Sequence, residues 1–155
     1  MSSTADDSPT GVARRIIDAN SYATLATADA EGRPWVTPVW FAERDLREYL
    51  WVSRTERRHS QNVAERAELA LVVFDSTAAA GSANAVYVEA VAAPVSDTDL
   101  DDLLAVFNAK CEASGLRAWP RSKVSGHEPF RLYRATASQV WVLDEHEHRV
   151  PVGLQ

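Results

Sequence analysis

Apolar and polar positions along this chain change period several times, and each change marks an element. Val12, Ala13, Ile16 and Ile17 recur at helical spacing while Arg14, Arg15 and Asp18 face away, which predicts a short amphipathic helix ending near Asn20. Ser8-Pro9 is its start signal, with proline at the first helical position. The period then drops to two. Residues 22–28 alternate, and Asp29-Ala30-Glu31-Gly32 makes a turn in which glycine adopts a positive φ at little cost. Residues 35–41 are β-branched and aromatic. Pro38 within that run makes it an edge strand, a bulge or a place where another group approaches the backbone. A polar turn at 43–47 leads to a strand at 49–53, and the connection is short enough for a hairpin of 35–41 with 49–53.

Residues 55–67 read as a helix, with Thr55 as cap and Glu56 in its first turn. An apolar run at 69–74, a small-residue loop at 76–85 and a long strand at 85–95 follow. Ser96-Asp97-Thr98-Asp99 resembles a capping box with Asp in place of Glu. Leu100, Leu103, Leu104, Phe107 and Cys111 form one core face of a helix that Gly115 ends. Residues 116–128 are irregular, and 130–134 and 139–143 are two final strands. Six or seven strands in hairpin-like runs with three helices predict a mainly β, α+β architecture: an antiparallel sheet or barrel with appended helices, not a doubly wound parallel sheet. The expected organisation is a flexible tail at 1–8, a single domain at 9–144 and a polar tail at 145–155.

The chain has 155 residues, is 46% hydrophobic and carries a net charge of -6. That size supports a core without disulfide or metal staples, and the single cysteine excludes an internal disulfide framework. The acidic balance argues against a nucleic-acid partner. No apolar run approaches the length of a membrane helix, and the polar start carries no secretory pattern. A cytoplasmic protein, bound to neither nucleic acid nor membrane, is therefore expected. The sequence contains no GxGxxG, Walker loop, GxSxG or HExxH. His146 and His148 read as part of a solvated charged tail rather than a metal site. Cys111 reads as inert core packing.

One segment carries chemistry. Residues 51–62 run from a strand into a helix, and Arg54, Arg57, Arg58, His59 and Arg66 crowd into thirteen positions. A helix start presents free N–H groups and a positive dipole end. Ser53 and Thr55 add hydroxyls, and Arg58 adds a fork suited to phosphate. Two readings stand side by side: a phosphate site, or a solvated basic face paired with Glu56, Glu65 and Glu68.

The ordered segments "YATLATADAEGRPWVTPVWF", "LWVSRTERRHSQNVAERAELALVVFDS", "AVYVEAVAAPVS" and "FRLYRATASQVWVL" resemble the pyridoxamine 5'-phosphate oxidase-like superfamily of FMN-binding split β-barrels over residues 10 to 144. The resemblance implies that Thr37, Pro38, Val39 and Trp40 line the flavin, with Val52 and Ser53 near its ribityl phosphate. The family's Ser-Arg-Lys triplet aligns with Arg57-Arg58-His59, so Arg58 is expected to hold phosphate and His59 stands where lysine is usual. It also implies a homodimer with the cofactor at the interface, where Gln139 or Trp141 of the second copy approaches the ring. No protein nucleophile, base or metal ligand is assigned, because the flavin carries the redox step. The expected function is an FMN-dependent oxidoreductase acting on a small molecule. Alternatives are a reductase using the deazaflavin F420 and a non-catalytic flavin- or haem-binding protein. The ending "DEHEHRVPVGLQ" has no Arg-rich closing motif, so the vitamin B6 enzyme itself is not expected.

Overall fold

The computed structural model describes residues 6–154. Residues 1–5 of the expected N-terminal tail, and Gln155, lie outside the described residues. Helix α1 (Pro9–Ala19) starts as its sequence predicts: Ser8 Oγ accepts the Gly11 N–H at 3.1 Å, with Pro9 at the first helical position. Its apolar stripe buries Ala13 and Ile17 against the sheet.

Eight strands form one antiparallel sheet: β1 (Tyr22–Ala28), β2 (Pro34–Trp40), β3 (Ala42–Arg44), β4 (Glu48–Arg54), β5 (Glu68–Phe74), β6 (Ala85–Pro94), β7 (Phe130–Leu143) and β8 (Arg149–Pro151). The strand path is β2-β1-β5-β6-β7-β4-β3, with β8 added to β7. The two ends of this path, β2 and β3, are joined through Phe41 alone. Six strand spacings in a flat sheet would separate them by roughly 29 Å. Two residues of chain reach at most about 7 Å. The sheet must therefore curl until its edges meet, giving a barrel split between β2 and β3. Phe41 sits fully buried at that seam.

Inward-facing residues of the curled sheet, including Leu25, Tyr49, Trp51, Val73, Val86, Tyr133 and Val140, form one core with α1. Trp51 stacks on Tyr133 with ring centroids 5.6 Å apart. A second core lies outside the barrel under α3 (Leu100–Ala113), where Leu100, Leu103, Leu104, Phe107 and Cys111 cover Leu50 and Leu132. This is the apolar face read from the sequence.

Several expectations need correction. The run 35–41 does not pair with 49–53. Residues 34–40 pair with β1, and the hairpin arm of β4 is the three-residue β3, joined through Asp45 and Leu46 at positive φ. Helix α2 (Arg58–Glu65) starts three residues later than the sequence suggests, because 55–57 form a turn and Arg57 is the cap position. Asp99 caps α3 without a side-chain hydrogen bond, so no capping box forms. The two final strands are one, β7, which stays extended through Ala135-Thr136-Ala137-Ser138. A bulge opposite Glu89 and Ala90 takes up the extra residue. The segment after 144 is not all tail. Residues 145–148 are exposed, but β8 joins the sheet and Val152 is buried.

Candidate functional site

Strand β4 ends at Ser53-Arg54, and α2 begins four residues later. This short return folds His59 back onto the strand it left. Ser53 Oγ and His59 Nε2 are 2.8 Å apart, and the two residues are only 9% and 8% exposed. Burial, reinforced by the nearby Arg57 guanidinium, lowers the His59 pKa below its ordinary 6.5. The imidazole is therefore neutral at neutral pH, and the hydroxyl and the ring share one hydrogen bond.

The pair closes one end of a cavity of about 430 Å³. Pro38, Val39 and Trp40 of β2 form one wall, with Tyr22 of β1 and Val52 of β4 beside them. Phe107 and Cys111 come from α3, and Leu116, Arg117 and Trp119 from the loop after it. The walls are aromatic and interlocked: Trp40 meets Phe107 edge-on at 5.3 Å, and Trp119 meets Phe130 at 5.2 Å. The lining mixes these rings with polar groups, and its volume falls within the roughly 300–1,000 Å³ of small-molecule sites.

The structure thus brings together Pro38, Val39, Trp40, Val52, Ser53 and His59. Thr37, one pleat further along β2 on the same face as Val39, does not line the cavity. Arg58 does not line it either. The late start of α2 puts Arg58 at the first helical position, and its guanidinium lies 4.3 Å over the Trp35 ring. Gln139 and Trp141 lie on β7, which pairs with β4, but well along the strand from Leu132, the partner of Val52, at roughly 23 and 30 Å. They sit on the outer face. Pro38, Thr24, Val72, Tyr87 and Trp141 follow one another in register across β2, β1, β5, β6 and β7. Trp141 lines a second and larger cavity of about 570 Å³ there, with Val36, Ala70, Tyr87 and Glu89.

Tyr22, Phe107, Cys111, Leu116, Arg117 and Trp119 were not legible as site residues. Phe107 and Cys111 carry a core signal because their helix face serves both purposes. Burial raises the Cys111 thiol pKa, with Glu112 adding to the effect, in keeping with an inert thiol. The loop residues have no periodicity to reveal them. Among the described residues no group of three or more His, Cys, Asp or Glu side chains could hold a metal ion, and no helix is long and apolar enough to cross a membrane.

A sequence model for the family described as pyridoxamine 5'-phosphate oxidase matches residues 10–144. No curated protein matches the sequence. Similar solved structures include a heme binding protein from Mycobacterium smegmatis, with TM-score 0.71 and 16% identity over 90% of this chain and 55% of that one. The chain therefore spans about half the length of that relative. HutZ, the heme storage protein from Vibrio cholerae, aligns with TM-score 0.63 and 23% identity, covering 81% of this chain and 87% of that one. A FAD-binding protein from Mesorhizobium loti aligns with TM-score 0.64 and 16% identity, covering 84% of this chain and 91% of that one. At these identities the likeness shows the fold.

Proposed function

Since the chain belongs to the pyridoxamine 5'-phosphate oxidase family, we propose that it binds FMN in the cavity at the end of β4 and acts as a flavin-dependent oxidoreductase on a small molecule. The observation that carries this reading is the cavity itself: aromatic and apolar walls close on a buried hydrogen-bonding pair, Ser53 and His59. The residues fit the group. A flavin offers a flat apolar ring with a polar edge and a phosphate-bearing chain. Trp40, Phe107 and Trp119 match the ring. β2 pairs only with β1 in the strand path, so one side of its backbone is free to read a polar edge. Ser53 and His59 supply hydrogen bonds to the chain.

When bound, the flavin supplies the two-electron redox step. The protein binds and orients it, and the Phe107 and Trp119 side excludes water. No residue of this chain is assigned a proton.

The proposal includes a homodimer. Val36, Phe74 and Val91 are 59%, 43% and 52% exposed on the outer face, a lone chain's liability that a second copy removes. A two-fold arrangement would bring the second copy's Gln139 and Trp141, which one chain keeps apart from the cavity, to the ring. F420 would use the same features, because it is also a ring with a phosphate-bearing chain. A haem carrier is a second reading, favoured by the neutral buried imidazole on the cavity wall, since neutral imidazole is the metal-ligating form.

The test is an absorption spectrum of the purified chain titrated separately with FMN, riboflavin, F420 and haem, followed by turnover with reduced nicotinamide. FMN uptake with turnover supports the reading. Haem uptake alone favours the carrier. Uptake of neither flavin nor F420 ends the oxidoreductase reading.

A further inference from the structure

We infer that the cavity takes a terminal phosphomonoester together with a proton, and that His59 is the residue that receives the proton. The inference rests on the proposed flavin reading, which brings a phosphate to the Ser53–His59 end of the cavity. It deepens that reading by separating FMN from F420.

Among the described residues the buried His59 ring bonds only Ser53 Oγ, at 2.8 Å. No carboxylate lines the cavity. The charges that face the ring are cations. Arg57, at the cap of α2, works against a charge on the imidazole, and Arg117 lines the cavity from the loop after α3. The titratable groups on the wall are otherwise Tyr22 of β1 and Cys111 of α3, whose thiol burial keeps protonated. β2 and β4 add none. Of the other charges in the turn before α2, Arg54 pairs with Glu56 at 3.6 Å, and Arg58 lies over Trp35. At the far end of α2, Glu65 accepts the Ala30 N–H, and Arg66 donates to the Asp29 and Ala30 carbonyls. This lining by itself keeps His59 neutral.

A phosphomonoester reverses that balance. Its second pKa is about 6, so it carries close to two negative charges at neutral pH. Brought to Ser53, it is the one anion that His59 meets, and a nearby anion favours the charged imidazole. The existing hydrogen bond transmits the contact. A protonated ring has two N–H donors, so Nε2–H donates to Ser53 Oγ and the Ser53 O–H donates to a phosphate oxygen. The proton comes from solvent and stays on the ring, and no bond of the ligand breaks. A diester, such as the phosphate of F420, carries a single charge and draws the proton less. A permanent cation at this position would serve both ligands. His59 instead favours the monoester, and ties its binding to pH.

The test is calorimetric titration of the full-length protein with FMN, riboflavin and F420, in buffers of different ionisation enthalpy slightly above neutral pH, which counts the protons taken up. FMN should take up a proton, riboflavin none, and F420 a smaller fraction than FMN. FMN affinity should fall as pH rises above neutrality, with a limit of about tenfold per pH unit for one proton, while riboflavin affinity stays level. His59→Lys should keep the preference for FMN over riboflavin and lose both the proton uptake and the pH slope, and His59→Gln should lose them as well. Arg57→Ala should weaken FMN and retain the uptake, because Arg57 opposes the charge on His59. FMN binding without proton uptake, uptake that persists in His59→Gln, or equal uptake with F420 would overturn the inference and leave the flavin reading intact. If wild type binds neither flavin nor F420, that reading fails, and inorganic phosphate decides the inference alone. The imidazole NMR signal missing from His59→Gln should then titrate at higher pH with phosphate than without it. An unshifted titration overturns the inference.

Discussion

The Ser53–His59 contact gives the sharpest prediction about how this site is built. It is a neutral hydrogen bond of 2.8 Å between residues less than a tenth exposed. A bond of this kind contributes about 1 kcal/mol net, while removing one partner strands the other at a cost of about 1–3 kcal/mol. Ser53→Ala removes the hydroxyl partner of a largely buried imidazole nitrogen, so it should lose about 1–3 kcal/mol. His59→Phe keeps the ring's bulk but strands the hydroxyl, and should lose a similar amount. The double variant leaves nothing stranded and should lose less than the sum of the two. For a chain of this size each kcal/mol moves Tm by about 2–4 °C. Urea unfolding of the four proteins measures the coupling. The pH dependence follows from the same burial. Because the His59 pKa is lowered in the folded state, the unfolded chain binds the extra proton. The stability tied to this group is complete above pH 6.5 and is lost as pH falls through the folded value. His59→Phe should flatten that limb. Strictly additive single losses, with an unchanged acid limb in His59→Phe, would refute the picture of a buried neutral pair.

Other expectations follow from packing. Phe107→Ala opens the second core and removes the partner of Trp40, so it should lose about 3–5 kcal/mol in urea unfolding. Asn108→Ala frees both backbone groups of Trp119 and should speed proteolytic nicking at residues 116–119 well beyond any global destabilisation. Val36→Arg on the exposed outer face should convert the proposed dimer to monomer in sedimentation without unfolding it, and an unchanged sedimentation coefficient would place the interface elsewhere. Cys111 is buried and its thiol pKa is raised, so it should react with a disulfide reagent only under denaturing conditions.

Local features of this fold were legible and non-local ones were not. Ser8-Pro9 and the stripe through Ile17 identify α1, and the Leu100-to-Cys111 face identifies α3, because a cap and a helical period act within a few residues. Strand pairing depends on partners far along the chain. The β-branched and aromatic run at 35–41 and the strand at 49–53 are compatible with a hairpin, yet the chain closes a barrel through Phe41. The three residues of β3 are too few to show a period. At α2 the hydroxyl of Thr55 and the charge of Glu56 look like a helix start, while the chain spends 55–57 on a turn. The candidate site divides the same way. Ser53 and His59 stand out because a strand end meets a basic run. Arg117 and Trp119 reach the cavity only through the return of α3 over the sheet and the Asn108 clamp, which no local pattern marks.

The account turns on the cavity at Ser53, His59 and Trp40 being a phosphate-bearing flavin site. The most direct measurement is the affinity of the purified, full-length protein for FMN and for riboflavin, taken side by side from the change in flavin absorption and fluorescence. The account predicts saturable uptake of both with FMN the tighter, and a loss of that difference when high salt screens the phosphate contact. Equal affinity for the two flavins would contradict a phosphate contact, and uptake of neither would contradict the site.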